Sequence, residues 1–151
     1  MTHESVLADF FPRLSLPATP VPAVTHGDCW TFNVGPCPVY VYHFGSTLLL
    51  SASLGTAPTV GTEGFYRRLL ALNAEADLLG ARLGVEPTGA IKLTQVALLG
   101  SRPLEFETFR ANLEGFMRGM RVAGESIVAG LAEVRAGLAA AEDDPDEDEP
   151  A

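Results

Sequence analysis

Apolar residues recur at three- and four-residue spacings in three segments of the chain, the pattern of helices that bury one face. These segments are residues 4–11, 65–79 and 106–138. Pro12 is expected to end or kink the first helix, and Gly80 to stop the second. The third helix carries an unbroken apolar stripe but also several glycines, so it is predicted to be either continuous or broken near Gly124.

Elsewhere apolar and polar residues alternate, which is the pattern of strands with one buried face. The predicted strands are residues 29–34, 39–44, 47–54, 81–87 and 90–99. Residues 15–28 contain three prolines and are interpreted as an extended connector, because proline does not fit a central strand. Short connections favour a single antiparallel five-stranded sheet packed against the helices in the order α-β-β-β-α-β-β-α. The predicted fold class is α+β.

Composition supports one domain with an acidic extension. The chain has 151 residues, 47% of them hydrophobic, and a formal net charge of −9. Residues 142–149 hold seven of the acidic side chains, which leaves −2 for the rest. We therefore predict a single domain over 1–141 and a disordered acidic tail over 142–151. A domain without a cluster of basic residues cannot neutralise the phosphates of a nucleic acid, so we expect no nucleic-acid partner.

The chain also lacks the signals of a membrane or secreted protein. No stretch approaches 18 consecutive apolar residues. The first ten residues lack the basic segment and the long apolar segment of a signal peptide. We expect no membrane insertion and a cytoplasmic location. Cys29 and Cys37 fall near opposite ends of a predicted hairpin, roughly 15–20 Å apart at the strand rise. A disulfide needs Cα atoms within about 7 Å, so none is expected.

The sequence contains none of the catalytic or cofactor-binding motifs considered below. His3, His26, His43 and the two cysteines occur in none of the metal-binding spacings, so no metal and no cofactor are predicted. The glycine-rich segment 55–64 lacks the spacing and the lysine of a phosphate-binding loop. There is no G-x-S-x-G elbow either. The chain is predicted not to be an enzyme.

Residues 65–117 carry the most informative pattern: a leucine-rich helix reaching an Asn, a short strand, a turn ending in Gly, a longer strand and a closing helix with spaced Leu and Phe. With the element order and the acidic pI, this resembles the type III secretion chaperones of the Tir-chaperone (CesT-like) class I family. The resemblance implies a homodimer and a client, a secreted effector held unfolded until export.

The resemblance also implies two sets of site residues. The dimer interface would involve the second helix and the following strand, at Phe65, Leu69, Leu72, Ala76, Leu79, Arg82 and Val85. The client-binding patch would involve the first helix and the first strand, at Val6, Leu7, Phe10, Phe11, Leu14, Trp30 and Phe32. We expect part of this patch to stay exposed and the client to add a strand to the sheet edge at 29–34.

Two alternatives remain at this stage. YbjN-like proteins resemble the same fold without a secretion role, which would make this chain a regulatory or stress-related interaction protein. A small-ligand carrier or enzyme would need converging polar groups between helix and sheet, which the pattern does not provide.

Overall fold

The computed structural model describes residues 5–22, 27–74, 78 and 80–142. The helices are α1 (Val6–Arg13), α2 (Thr62–Asn73) and α3 (Phe106–Glu142). The strands are β1 (Thr19–Pro20), β2 (Asp28–Val34), β3 (Cys37–Phe44), β4 (Thr47–Thr56), β5 (Arg82–Val85) and β6 (Ala90–Leu98). All neighbouring strands are antiparallel, and the sheet order is β1-β2-β3-β4-β6-β5. The α+β class and the antiparallel sheet are therefore confirmed.

The sheet has six strands instead of the predicted five. The additional strand, β1, lies inside the proline-rich connector, where Thr19 pairs with Thr31 and Pro20 with Trp30. The Val21 N–H then donates to the Cys29 carbonyl at 2.8 Å. Pro20 is compatible with this pairing because the pairs alternate, so the nitrogen that lacks a hydrogen points away from β2.

One face of the sheet is covered and the other is open. The side chains that point to the covered face form a single core with the buried residues of all three helices. The buried strand residues in this core are Phe32, Val39, Val41, Leu48, Leu50, Ala52, Leu83, Ile91 and Leu93. The alternation in the sequence therefore places the core correctly, since successive side chains of a strand point to opposite faces.

The helices differ from their predicted lengths at two ends. α1 continues through Pro12 and ends one residue later, at Arg13. α2 ends at Asn73, short of the predicted residue 79. Residues 75–77 and 79 lie outside the described residues, as do 143–151, which make up all of the predicted tail except Glu142, the last residue of α3.

α3 is continuous across Gly124, and its 37 residues extend over about 55 Å. Two of its glycines sit at close contacts. A Cβ on Gly119 would lie 3.2 Å from the backbone oxygen of Leu78, and one on Gly130 would lie 3.2 Å from the ring of Phe65. Gly124 faces open space, so nothing nearby requires a glycine there.

Candidate functional site

The first candidate surface, the α1 surface, consists of Val6, Leu14 and Trp30, which keep accessible area. The other predicted client-binding residues are buried in the chain's own core: Leu7 (0% exposed), Phe10 (7%), Phe11 (1%) and Phe32 (3%). Part of the patch therefore stays exposed, as expected, but its phenylalanines do not. The two larger helices do not displace α1 from the sheet, and its phenylalanines fill the space between sheet and α3.

Aromatic contacts explain why these side chains are buried. The Phe11 ring lies 5.9 Å from that of Phe32 and 5.3 Å from that of Phe109, measured between centroids. Phe10 stacks on Phe109 at 5.5 Å. Such pairs add roughly 0.5–1.5 kcal/mol each beyond the area they bury. The cluster therefore joins α1, β2 and α3 into one packed unit.

Polar contacts fix the start of α1 against β2. The Trp30 indole donates to Asp28 Oδ1 at 3.0 Å and to Ser5 Oγ at 3.2 Å. The Ser5 hydroxyl in turn donates to Asp28 and accepts from the Ala8 N–H at the helix start. Because its indole N–H is bound to two acceptors, Trp30 has one fixed orientation at the α1 surface.

The second candidate surface, the α2–β5 surface, contains the predicted dimer interface. Phe65, Leu69 and Leu72 are 2%, 4% and 6% exposed, so they belong to the chain's own core. Of the remaining predicted interface residues, Arg82 is exposed, Val85 is half-buried, and Ala76 and Leu79 lie outside the described residues.

The apolar side chains that α2 leaves accessible are Tyr66 (39% exposed) and Leu70 (68%). Together with Leu69, Asn73, Leu83, Gly84 and Val85 they line a groove of about 250 Å³. The adjacent leucines at 69 and 70 are the sequence signal for this second apolar face, since neighbouring residues of a helix point about 100° apart.

Asn73 links α2 to the outer edge of β5. The Leu83 N–H donates to Asn73 Oδ1 at 2.7 Å, and Asn73 Nδ2 donates to the Leu83 carbonyl at 2.9 Å. The side-chain amide thus makes the two bonds that an adjacent strand would make to Leu83. This Asn is the one that the sequence pattern placed at the end of the leucine-rich helix, but its role follows from the structure.

The third candidate surface, the open sheet face, was missed by the sequence reasoning. The strand register sets Phe44 beside Thr47 and Thr47 beside Leu98, and it sets Tyr42 beside Leu49 and Leu49 beside Val96. Val96 is 57% exposed and Leu98 is 80% exposed. The available signal was that strands 47–54 and 90–99 carry apolar residues at outward as well as inward positions.

Burial shifts the pKa values of ionisable groups near these surfaces. Burial raises the pKa of the Cys29 thiol, although a hydrogen bond with Tyr42 opposes the shift. Burial lowers the pKa of His43, and the nearby Asp28 charge opposes that shift. Both cysteines are free thiols. Within the described ranges, no three His, Cys, Asp or Glu side chains come close enough to hold a metal ion.

None of the described helices is long and apolar enough to cross a bilayer. What the three surfaces offer is apolar contact area bordered by a few fixed polar groups, and such an arrangement suits binding.

A scan against protein-family models returns no match, and neither does a search of curated proteins. Solved structures do match. A chain of the HopA1–SchA chaperone–effector complex is 19% identical, with 78% of this chain and 88% of that chain covered and a TM-score of 0.53. A chain of the heterodimeric ExoU–SpcU complex from the type III secretion system of Pseudomonas aeruginosa is 17% identical, with 81% and 94% covered and a TM-score of 0.54.

YbjN of E. coli is 14% identical, with 82% of this chain and 90% of that chain covered and a TM-score of 0.60. The structural neighbours thus include both of the groups that the sequence pattern resembles. At these identities the likeness establishes the fold: this chain has the fold found in these two complexes and in YbjN.

Proposed function

We propose that this protein is a non-catalytic cytoplasmic chaperone that holds an extended segment of another polypeptide, an effector awaiting type III export. The observation that carries the proposal is the shared fold with a chaperone–effector complex, combined with apolar side chains left accessible on its surface. The proposal involves no cofactor, no nucleic acid and no membrane insertion.

The α1 surface is the part of the predicted client site that a partner could contact directly. Trp30, Val6 and Leu14 retain accessible area there, whereas Leu7, Phe10, Phe11 and Phe32 act from beneath by holding α1 in place. Aromatic anchors dominate interfaces of this kind. Trp30→Phe is the suitable probe, because it keeps an aromatic ring and removes the indole that binds Asp28.

Homodimerisation is the second part of the proposal, and the α2–β5 surface is its place. A leucine that is 68% exposed beside a half-exposed tyrosine is costly to leave in water, and a two-fold contact would cover both. Leu70→Asp is therefore expected to convert a dimer into a monomer of 16.0 kDa, measured by light scattering.

Val128→Asp is the matched control, because Val128 has the same exposed fraction as Leu70 but lies on α3. It should leave the dimer intact. A wild-type protein that is monomeric at micromolar concentration would exclude the dimer.

The proposed function is tested by purifying the tagged protein from its native host and identifying what co-purifies by mass spectrometry. A single polypeptide bound in stoichiometric amount, and bound more tightly once that polypeptide is unfolded, supports the chaperone role. Recovery of the protein without an unfolded client, in an assay that would detect one tenth occupancy, would favour the second candidate.

That candidate is a YbjN-like interaction protein, which the TM-score of 0.60 to YbjN favours. In that case the partner would be a folded protein, and mild denaturation of the partner would abolish binding instead of promoting it.

A further inference from the structure

We infer that a client segment docks on the open sheet face and not on either sheet edge, and that this segment carries apolar residues next to acidic ones. The inference rests on the proposed function and specifies where and how the client is recognised. It follows from the state of the two edges, from the register of the open face and from the charges beside it.

The β5 edge is closed by the chain's own groups. In an antiparallel strand, alternate residues present both their N–H and their C=O to the same side. Ala81, Leu83 and Val85 present theirs outward, because Leu83 is bound to Asn73 on that side. The Ala81 N–H donates to the Leu78 carbonyl at 3.0 Å. A strand approaching this edge could form hydrogen bonds only with the backbone of Val85, so it could not pair continuously with β5.

The opposite edge is largely covered by β1, which leaves the outward backbone groups of Asn33 uncovered. Strand 29–34 was predicted to accept a client strand, but Thr19 and Val21 already occupy its outward groups at Thr31 and Cys29. β1 does not offer a new edge in its place. Its outward-facing residue Pro20 has no N–H, and the preceding Ala18 donates its N–H to the Leu16 carbonyl. The expected strand addition at this edge is therefore unfavourable.

The open sheet face has the apolar area that the edges lack. Two adjacent rows run across β3, β4 and β6, one made of Phe44, Thr47 and Leu98 and the other of Tyr42, Leu49 and Val96. Neighbouring strands lie about 4.8 Å apart, so each row extends roughly 10 Å, and the two rows are two residues apart along each strand, on the same face. This area suits the side chains of a short extended segment that runs along β6 toward Lys92.

The charges beside the rows favour an anionic continuation of that segment. The next row on the same face consists of Tyr40, Ser51, Thr94 and Arg82, and Lys92 lies in the row after it. Tyr40, Lys92 and Thr94 line a depression of about 640 Å³, left open because Gly84 has no side chain. Glu86 lines it too.

Neither cation is in an ion pair with another described residue. Two cations against one carboxylate leave this end of the face positive. An acidic client segment would supply a partner for each of these cations.

The test uses photo-cross-linking of the full-length protein in its native host, with p-benzoylphenylalanine replacing Val96. Two further sites are the matched control Val128, whose exposure is similar, and Val6 on the α1 surface. We expect position 96, but not position 128, to cross-link to a client polypeptide, and the cross-linked peptide to contain apolar residues next to Asp or Glu.

A synthetic peptide of the cross-linked segment then measures affinity by titration. Val96→Asp should weaken binding by about 30-fold, the loss typical of an interface anchor. Arg82→Glu should weaken it by roughly 5-fold, with the difference from wild type shrinking at 0.5 M salt. Val128→Asp should bind as the wild type does.

The other outcomes separate the two proposals. Client cross-links at position 6 but none at 96 above the level at 128 would overturn the open-face site and leave the chaperone function standing. Cross-links at 96 to a second copy of this chain would make the face a self-association surface and overturn the inference. The absence of client cross-links at all three positions would overturn the site and the proposed function together.

Discussion

Replacing Asn73 with alanine tests whether a single side chain closes the sheet edge. The change removes two hydrogen bonds, of 2.7 and 2.9 Å, between the α2 end and β5. It also leaves the N–H and C=O of Leu83 without partners, and Leu83 is only 8% exposed. We expect both a lower free energy of unfolding and a greater tendency of β5 to pair with other strands.

The magnitude follows from the two bonds. Each net hydrogen bond contributes about 0.5–1.5 kcal/mol, so the loss amounts to roughly 1–3 kcal/mol. Alanine has the better helix propensity by about 0.6 kcal/mol, but Asn73 is the last residue of α2, where propensity matters least. The bonds dominate. For a chain of this length the change corresponds to a fall in Tm of about 3–8 °C.

Urea unfolding followed by circular dichroism, at one fixed protein concentration, measures the free energy of unfolding, and light scattering measures self-association. Asn33→Ala is the matched control, because Asn33 is exposed at the end of β2. The isosteric Asn73→Asp keeps the bond from the Leu83 N–H but sets an oxygen against the Leu83 carbonyl, so it should not rescue stability. If Asn73→Ala matches Asn33→Ala within about 0.5 kcal/mol, below the contribution of one such bond, the reasoning is refuted.

Three further predictions concern the core, the long helix and pH. Phe10→Ala should lower the free energy of unfolding by about 3–5 kcal/mol, because the ring is buried; a loss below ~1 kcal/mol in urea unfolding would mean that it is accessible. Gly124→Ala should stabilise the protein by about 0.5–1 kcal/mol. Gly119→Ala should stabilise it less or destabilise it, because the new Cβ would lie 3.2 Å from a backbone oxygen, and equal shifts in Tm for the two variants would contradict this packing. Burial lowers the pKa of His43 below 6.5, so the unfolded chain binds the proton more readily and this histidine costs stability as the pH falls through 6.5 and below. His43→Gln should therefore have a smaller loss of stability between pH 7.5 and 5.5 than the wild type, and parallel profiles would disprove the assignment.

Much of the fold was predictable from local pattern. The strands from Asp28 to Leu98 lie close to the segments of alternating residues, and α3 follows the stripe at steps of three and four. Both periods are properties of the backbone itself, so they are visible in a short window of sequence. The face of each strand that joins the core follows from the same alternation.

Contacts between distant parts of the chain decided the rest. The burial of Phe10 and Phe11 depends on Phe109, which follows almost 100 residues later, and the pairing of Pro20 depends on an edge that only the assembled sheet provides. Asn73 was visible in the sequence pattern, but its bonds to Leu83 exist only because β5 returns to the end of α2. The sequence by itself determined the helices, the main strands and the side of each that is apolar. The tertiary structure decided which apolar side chains are covered, because coverage requires a second surface that no local pattern encodes.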